Sequence, residues 1–350
     1  MNVTIAEIAK RAKVAPSTVS RALAGKGRIS DSTRKRIMQL AHEMGYAGVP
    51  VLRKTVGIVY TPRLRHLIGD AFYGSVLESV EATFRTWGYR VFFSTFESQE
   101  DLAELLGQGA HDGFILVGGD TTPEAVHILR AAAKPVVLVD NEFPDHPIPA
   151  VVTANAEGSR ALTKHLLALG HRAIAYVAGP LAHISLRQRV DGYKEAMAEA
   201  GAPVGDEWIA AAPEGHFGFE TGVTGFHTLW TERGLRPTAV LCSNDMVALG
   251  VLQAAQELDL SVPRDLSVAG FDDVVQSARP RLTTVKVHCR EMGAHAARLL
   301  YEAIQSEVSR KAPRADQARG TEAPAEPPVK IVIYPELRAR ESTAPPRSSP

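Results

Sequence analysis

The chain has 350 residues, enough for about two domains at the usual ~100–200 residues each. With 45% hydrophobic and 22% charged residues, it has the composition of a globular protein, which excludes wholesale disorder, collagen-like repeats and coiled-coil rods. No stretch approaches the ~18 uninterrupted apolar residues of a membrane span, and the charged N-terminal residues do not fit a signal peptide. We therefore expect a cytoplasmic protein with no membrane association.

Charge is unevenly distributed along the chain. Overall, 39 basic side chains balance 39 acidic ones. Residues 1–54, however, contain eleven basic and three acidic side chains, a net charge of +8 that leaves −8 for the rest. Clustered lysine and arginine are what contacts with nucleic-acid phosphates require. Charge alone is equally typical of a solvated helical face, so both interpretations stay open at this point.

Three amphipathic helical patterns follow one another at the N-terminus. Thr4 and Glu7 form a T-x-x-E capping box, and apolar residues follow at i, i+3, i+4 and i+7 spacing. Pro16 suits the first turn of a second helix. A third begins after Ser30 and ends at Gly45. The patterns predict three short helices around one small core.

The first two helices, joined by a tight turn, predict a DNA-binding motif, because the second has a polar face with an arginine suited to the major groove. The runs VTIAEIAKRAKVAPSTVSRAL and ISDSTRKRIMQLAHEMGY closely resemble the helix-turn-helix headpiece of the LacI family of bacterial transcription regulators. The planar guanidinium of Arg21 suits guanine O6 and N7, for about 1–3 kcal/mol of discrimination. By position, the resemblance implies base reading by Pro16, Ser17 and Arg21, and contacts with the phosphate backbone or groove edge by Thr4, Thr18, Ser20 and Arg28.

The linker after the head, which spans residues 1–46, is short and atypical. Residues 47–55 stand where the family has a longer segment with a hinge helix, and Pro50 prevents a regular helix through the middle. Two roles for Leu52 therefore stay open. It is either a minor-groove wedge, as in the family's hinge helix, or an apolar residue of an extended spacer that packs on the core.

Residues 56–340 alternate short β-rich apolar runs with amphipathic helical stretches. This alternation predicts an α/β fold of doubly wound parallel sheets with helices on both faces. The length exceeds one hydrophobic core, so we expect two lobes, with a ligand cleft beyond the carboxyl ends of their strands. Strands are predicted at Val56–Tyr60, Arg90–Ser94, Gly113–Val117, Val136–Asp140, Ala173–Val177, Ala239–Ser243, Ser267–Gly270 and Val329–Tyr334.

Landmarks of the LacI family continue through the core, among them GHR at 170–172, SND at 243–245 and GFDD at 270–273. They imply a two-lobed, periplasmic-binding-protein-like core with an effector between the lobes. Sugars offer hydroxyls to carboxylate, amide and guanidinium groups, and a ring face to an aromatic. By position, Arg189, Asn244 and Asp272 are implied to bond effector hydroxyls, Phe217 to pack on the ring, and Thr61, Phe72, Tyr73 and Asp140 to line the other lobe.

The pattern leaves alternatives open for these residues. Asn and Asp at strand ends are also ordinary turn residues. Arg63, Arg65 and His66, after the first core strand, suit an anionic effector such as a sugar acid or phosphate, or are surface charges.

Two C-terminal segments have compositions typical of disorder. Residues 306–328 are rich in alanine, proline and charge, which predicts a flexible insert. Residues 341–350 are expected to form a disordered tail. No leucine heptad follows, so we expect a homodimer.

Enzyme and secreted-protein functions fit less well. The chain has no G-x-S-x-G, Walker A or H-E-x-x-H motif, so we expect no enzyme activity, cofactor or metal. A secreted binding protein would lack the basic head. The sequence predicts a repressor that binds a near-palindromic double-stranded DNA operator as a homodimer and is controlled by a sugar or sugar-derivative effector.

Overall fold

The computed structural model has a small N-terminal head and a larger core. It describes residues 3–23, 29–44, 46, 54–60, 71–107, 111–118, 125–132, 134–202, 204–278, 281–311 and 327–347. Within these ranges no helix is both long and apolar enough to cross a membrane.

The head consists of the helices α1 (Ile5–Ala12), α2 (Pro16–Leu23) and α3 (Asp31–Glu43). The capping box forms at the start of α1, where the backbone N–H of Thr4 donates to Glu7 Oε2 at 2.7 Å. One small core holds the three helices together, as the apolar spacing predicts. Its buried members are Ile8, Ala9, Ala12, Val19, Ala22, Leu23, Ile37 and Ala41.

The first lobe of the core, the N-lobe, is built on a parallel sheet. Within the described residues its strands are β1 (Thr55–Tyr60), β2 (Arg90–Thr95), β3 (Gly113–Val117), β4 (Val136–Val139), β5 (Ala150–Thr153) and β11 (Lys330–Ile333), in the order β11-β5-β4-β3-β1-β2. Alternate strand residues face opposite sides. Ile58 packs with helices α4 (Ala71–Thr86) and α11 (Cys289–Lys311), whereas Val59 packs with α5 (Gln99–Gly107) and α6 (Ala125–Ala131).

The second lobe, the C-lobe, has a smaller parallel sheet. Its strands are β6 (Ile174–Ala178), β7 (Ile209–Ala211), β8 (Ala239–Cys242) and β9 (Ser267–Ala269), in the order β7-β6-β8-β9. Helices α7 (Asn155–Ala168) and α8 (Ile184–Glu199) pack with Tyr176, while α9 (Phe219–His227) and α10 (Asp245–Glu257) pack with Val177. The strand therefore has helices on both faces.

Among the residues that the structure describes, three segments cross between the lobes. The chain passes from β5 to α7 at residues 153–155. The strands β10 (Thr284–Lys286) and β12 (Glu336–Arg338) pair antiparallel, and they connect to α11 and β11 of the N-lobe. Each crossing is only a few residues long, so a change in the angle between the lobes must be absorbed there.

The predicted head and two parallel-sheet lobes are confirmed, and the predicted strands are present with small shifts in their ends. The sequence analysis missed β5, β7, β10 and β12, which have only three or four residues each.

Both expectations for the C-terminal segments need correction. Helix α11 continues to Lys311, so the predicted insert at 306–328 is helical in its first six residues. Residues 312–326 lie outside the described residues. The predicted disorder from residue 341 is wrong as far as residue 347, because this segment hydrogen-bonds to the C-lobe. Buried Ser342 accepts from the Thr283 backbone N–H and donates to the Val268 carbonyl, both at 2.7 Å.

Candidate DNA-reading face and effector cleft

The polar face of α2 lies at the surface of the head. Ser17 and Arg21 are exposed, as is Pro16. A spacing of four residues places Ser17 and Arg21 about 40° apart around a helix of 3.6 residues per turn, on the side opposite the fully buried Val19. Arg21 Nε donates to the Ser17 carbonyl at 3.1 Å, which holds the guanidinium along the helix surface. Both side chains occupy a surface that a DNA duplex can approach.

Ser20 lies differently from its prediction. The sequence analysis grouped it with Ser17 on the outer side of α2, but Ser20 is only 8% exposed. Each residue advances a helix by about 100°, which turns Ser20 toward the side of Val19 and Leu23. Its placement on the outer polar side is therefore wrong, and its proposed contact with the DNA backbone gains no support from the geometry.

The other predicted backbone contacts have mixed surroundings. Thr18 is half-buried and Thr4 is exposed. The bond from the Thr4 backbone N–H to Glu7 Oε2 lowers the pKa of Glu7, and the Thr4 hydroxyl, which donates to the same oxygen at 3.0 Å, lowers it further. Arg28 lies outside the described residues.

Exposed basic side chains accompany the polar face. Lys10, Arg11 and Lys13 are exposed at the end of α1, and Arg36 is exposed on α3, where its Nη2 donates to the Ala12 carbonyl at 3.1 Å. Together with the charge of +8 over residues 1–54, they make the head attractive to a phosphate backbone.

The predicted effector residues lie near the carboxyl ends of strands in both lobes. Asp140 directly follows β4 of the N-lobe, whereas Asn244 and Asp272 follow β8 and β9 of the C-lobe. Arg189 lies on α8, which begins shortly after β6. Ligands of doubly wound sheets bind at this edge. We call the region between these residues the cleft.

Arg189 is buried in the cleft, with 4% of its surface exposed. Its Nη1 donates to Asp272 Oδ1 at 3.1 Å and to the Ser243 carbonyl at 2.7 Å, and its Nε donates to Asn155 Oδ1 at 2.8 Å. The guanidinium carbon lies 3.8 Å from the centroid of the Phe271 ring. A buried cation is stable only when it is paired and hydrogen-bonded. The guanidinium is thus oriented by the protein itself.

Asp140 joins the two lobes. Its Oδ2 accepts from the Tyr73 hydroxyl of the N-lobe at 2.7 Å, and its Oδ1 accepts from the Ser185 hydroxyl of the C-lobe at 2.7 Å. Phe72 packs edge-on against Tyr73, with ring centroids 4.8 Å apart. The φ angle of Asp140 is 57°, in the left-handed region that Asp tolerates better than most residues. The carboxylate therefore serves as a contact between lobes as well as a lining group.

Asn244 positions the loop that carries Phe217. Its Oδ1 accepts from the backbone N–H of Val247 and caps α10, while its Nδ2 donates to the Phe217 carbonyl at 2.9 Å. The Phe217 ring lies 6.1 Å from the imidazole of buried His183, which precedes α8. These contacts bring the predicted aromatic beside the first turn of α8.

The cleft also contains functional candidates that sequence reasoning missed. Ser185 and Gln188 precede Arg189 by four and one residues on α8, and Asn155 begins α7. The spacing of four residues from Arg189 was the only signal available for Ser185, and Gln188 had none. Thr61, which was predicted to line the cleft, lies outside the described residues. So do Arg63, Arg65 and His66, for which an effector contact and a surface position were both left open.

Asp245 supports the loop that carries Asp272. It is buried, and its carboxylate accepts from the Thr284 hydroxyl at 2.5 Å and from the Val274 backbone N–H at 2.9 Å. Burial raises the pKa of Asp245 to about 6. Among the described residues, no three His, Cys, Asp or Glu side chains come together in a group that could hold a metal ion.

Known proteins share both the head and the core. Residues 4–48 match the model of bacterial regulatory proteins of the lacI family, and residues 163–343 match the periplasmic binding protein-like domain. Catabolite control protein A of Priestia megaterium is 33% identical over 88% of this chain and 94% of its own length. The ribose operon repressor of Haemophilus influenzae is 32% identical over 87% of this chain and 92% of its own.

A solved structure, the complex of the transcriptional regulator CelR with cellobiose, superposes with a TM-score of 0.71 at 28% identity, covering 97% of this chain and 100% of that one. The two matching models together span more than half of the sequence, and the CelR complex covers nearly all of it. The chain belongs to the LacI family and is a DNA-binding transcriptional regulator.

Proposed function

We propose that this chain is a repressor whose dimer places two copies of α2 in successive major grooves of a near-palindromic operator. The observation that carries this proposal is the exposed pair of Ser17 and Arg21, side by side on a basic head. Two-fold symmetry of the protein requires matching half-sites in the DNA. Occupancy of the operator would exclude the transcription machinery.

Exposed apolar side chains on the core support the dimer. Phe92 and Phe93 on the edge strand β2 are 46% and 44% exposed, and Val275 in the C-lobe is 76% exposed. Large apolar groups at one sheet edge are costly in a monomer and typical of protein interfaces. Light scattering tests this point directly, and a mass of one chain at micromolar concentration would contradict it.

We infer that the effector is a sugar or sugar derivative held between the lobes. The cleft offers the carboxylates of Asp140 and Asp272, the guanidinium of Arg189, the amide of Asn244 and the ring of Phe217, a set that suits vicinal hydroxyls and an apolar ring face. The named relatives include a ribose operon repressor and a cellobiose complex, which is consistent with this class. An anionic effector is the second candidate, through Arg63, Arg65 and His66.

Control of DNA binding would follow from an exchange of partners in the cleft. Asp140 binds Ser185 across the lobes, and Arg189 binds Asp272. An effector hydroxyl that takes over the bond between Asp140 and Ser185 changes the preferred angle between the lobes. The effector binds the two lobe arrangements with different free energies. The free energy of operator binding can change only by this difference, typically ~1–3 kcal/mol.

Two experiments test the function. First, selection from a pool of random DNA duplexes should yield a near-palindromic operator, and recovery of no enriched sequence would contradict the reading role of α2. Second, a thermal-shift screen of neutral sugars, sugar acids and sugar phosphates should identify the effector class. Stabilisation by anionic compounds alone would favour the second candidate.

A further inference from the structure

A chain of side-chain hydrogen bonds leads from the N-lobe surface to Arg189. Lys330 Nζ donates to Glu142 Oε2 at 2.6 Å, and Gln188 Nε2 donates to Glu142 Oε1 at 2.8 Å. Asn155 Nδ2 donates to Gln188 Oε1 at 3.3 Å, and Asn155 Oδ1 accepts from Arg189 Nε at 2.8 Å. We call Lys330, Glu142, Gln188 and Asn155 the relay.

The relay spans the contact between the lobes and one of the crossings. Glu142 follows β4 and Lys330 lies on β11, both in the N-lobe, whereas Gln188 lies on α8 of the C-lobe. Asn155 is buried directly after the crossing from β5 to α7. The Glu142 side chain is only 12% exposed, so its bond to Gln188 is shielded from water. Separation of the lobes would break this bond.

The residues at the two ends of the relay determine which group donates and which accepts in each of its hydrogen bonds. Arginine has donors only, so Asn155 must present its oxygen to Arg189 and its nitrogen to Gln188. Gln188 must then present its oxygen to Asn155 and its nitrogen to Glu142, whose carboxylate accepts only. A second bond, from Asn155 Nδ2 to the Thr153 carbonyl at 3.2 Å, favours the same orientation.

We propose that Glu142 and Gln188 are positioning residues that tie the orientation of Arg189 to the contact between the lobes. This inference rests on the proposed role of Arg189 in effector binding. While the lobes are in contact, the relay holds Asn155 with its oxygen toward Arg189, which leaves Nη1 for Asp272. When the contact is lost, Gln188 is no longer oriented from the N-lobe side, and the amide nitrogen of Asn155 keeps only its bond to the Thr153 carbonyl. The effector then encounters a less firmly held guanidinium.

Reversal of the relay's polarity tests the proposal. Gln188→Glu places one carboxylate against that of Glu142, and like charges at hydrogen-bonding distance separate the lobes. The double variant Glu142→Gln with Gln188→Glu restores a complete pattern. In it, Lys330 donates to the oxygen of residue 142, while the new amide there and that of Asn155 both donate to the carboxylate of residue 188. The single change should be disruptive and the double change should rescue it.

The readout is hydrogen exchange of backbone amides at the start of α8 in the effector-free dimer. Gln188→Glu should speed exchange there by about fivefold or more, and the double variant should return it to within about twofold of the unmodified protein. The matched control is Gln253→Glu, which creates the same acid pair with Glu257 on the exposed face of α10, where Gln253 Nε2 donates to Glu257 Oε1 at 2.9 Å. The control should leave exchange in α8 unchanged.

A second readout follows function. The operator Kd is measured without sugar and with the screened sugar that stabilises the unmodified protein most. The ratio of these two Kd values should move toward one in Gln188→Glu and recover in the double variant. An unchanged exchange rate at the start of α8 in Gln188→Glu would overturn the relay. So would a double variant whose exchange rate is no closer to that of the unmodified protein than the rate of the single variant. If no screened sugar stabilises the unmodified protein, the effector proposal fails instead, and the exchange result still decides whether the relay joins the lobes.

Discussion

The two functional surfaces of this chain hold their side chains in opposite ways. On the head, Ser17 and Arg21 are exposed, and the bond between them lies within one helix. In the cleft, Arg189 and Asp140 are buried and bonded to other parts of the core. A DNA duplex therefore adds contacts to an open surface, whereas an effector must replace contacts that the protein already makes. We therefore propose that the head serves DNA recognition and that the cleft serves a change of conformation.

The largest expected effect comes from breaking the buried pair. Arg189→Ala leaves Asp272 without its cation, and loss of one partner of a buried pair costs about 3–5 kcal/mol. Thermal unfolding should show this loss, together with loss of sugar-induced stabilisation. The control is Arg160→Ala, which breaks an exposed pair with Glu199 and should cost about 1 kcal/mol or less. Equal costs would mean that the cleft is not ordered as described.

The next effect concerns the exposed surface. We propose that the guanidinium of Arg21 pairs with a base edge, so Arg21→Ala should remove about 1–3 kcal/mol of discrimination for each half-site. Competition gel shifts with the selected operator and a duplex altered at one position measure it. Arg85→Ala, in an exposed arginine of α4, is the control. Unchanged discrimination would remove α2 from the reading role, while sugar binding should be unaffected in either variant.

The C-terminal segment should contribute a smaller amount. Ser342→Ala leaves the Thr283 N–H and the Val268 carbonyl without a buried partner, at a cost of about 1–3 kcal/mol. Chemical denaturation measures it against Thr86→Ala, whose hydroxyl is exposed. A cost no larger than that of the control would support the disordered tail that composition suggested.

The smallest effect is a pH dependence. Burial raises the folded-state pKa of Asp245 to about 6, above the value of 3.8 for an unperturbed side chain, so the folded protein binds this proton more tightly than the unfolded chain does. This contribution to stability therefore grows as pH falls through about 6. As the pH falls from about 7 to about 5, the free energy of unfolding should rise by about 1 kcal/mol relative to that of Asp245→Asn. A stability difference that does not vary over this range would contradict the assignment.

Sequence alone predicted the elements with repeated patterns. The capping box and apolar spacing placed α1, α2 and α3, and the alternation of strands and helices predicted both lobes. Polar residues at strand ends, together with the family resemblance, indicated Asp140, Asn244 and Asp272. These features depend on local chemistry that each segment carries by itself.

Other features depend on distant partners and left no local signal. The segment after residue 341 is polar and proline-rich, yet Ser342 is ordered by Thr283 and Val268, which lie far away in sequence. Gln188 and Glu142 meet only because α8 packs across the cleft. Ser20 was predicted on the outer side of α2 because it is polar. Its position one residue after Val19 instead turns its side chain toward the buried side of the helix.

The central claim is that a ligand in the cleft changes the affinity of the head for DNA. Fluorescence anisotropy of the labelled operator gives its Kd without sugar and with a saturating amount of the sugar found in the screen. We expect the operator Kd to change by about 5–150-fold, with an equal change in sugar affinity when the operator is bound. A sugar that binds in the cleft and leaves the operator Kd unchanged would contradict it.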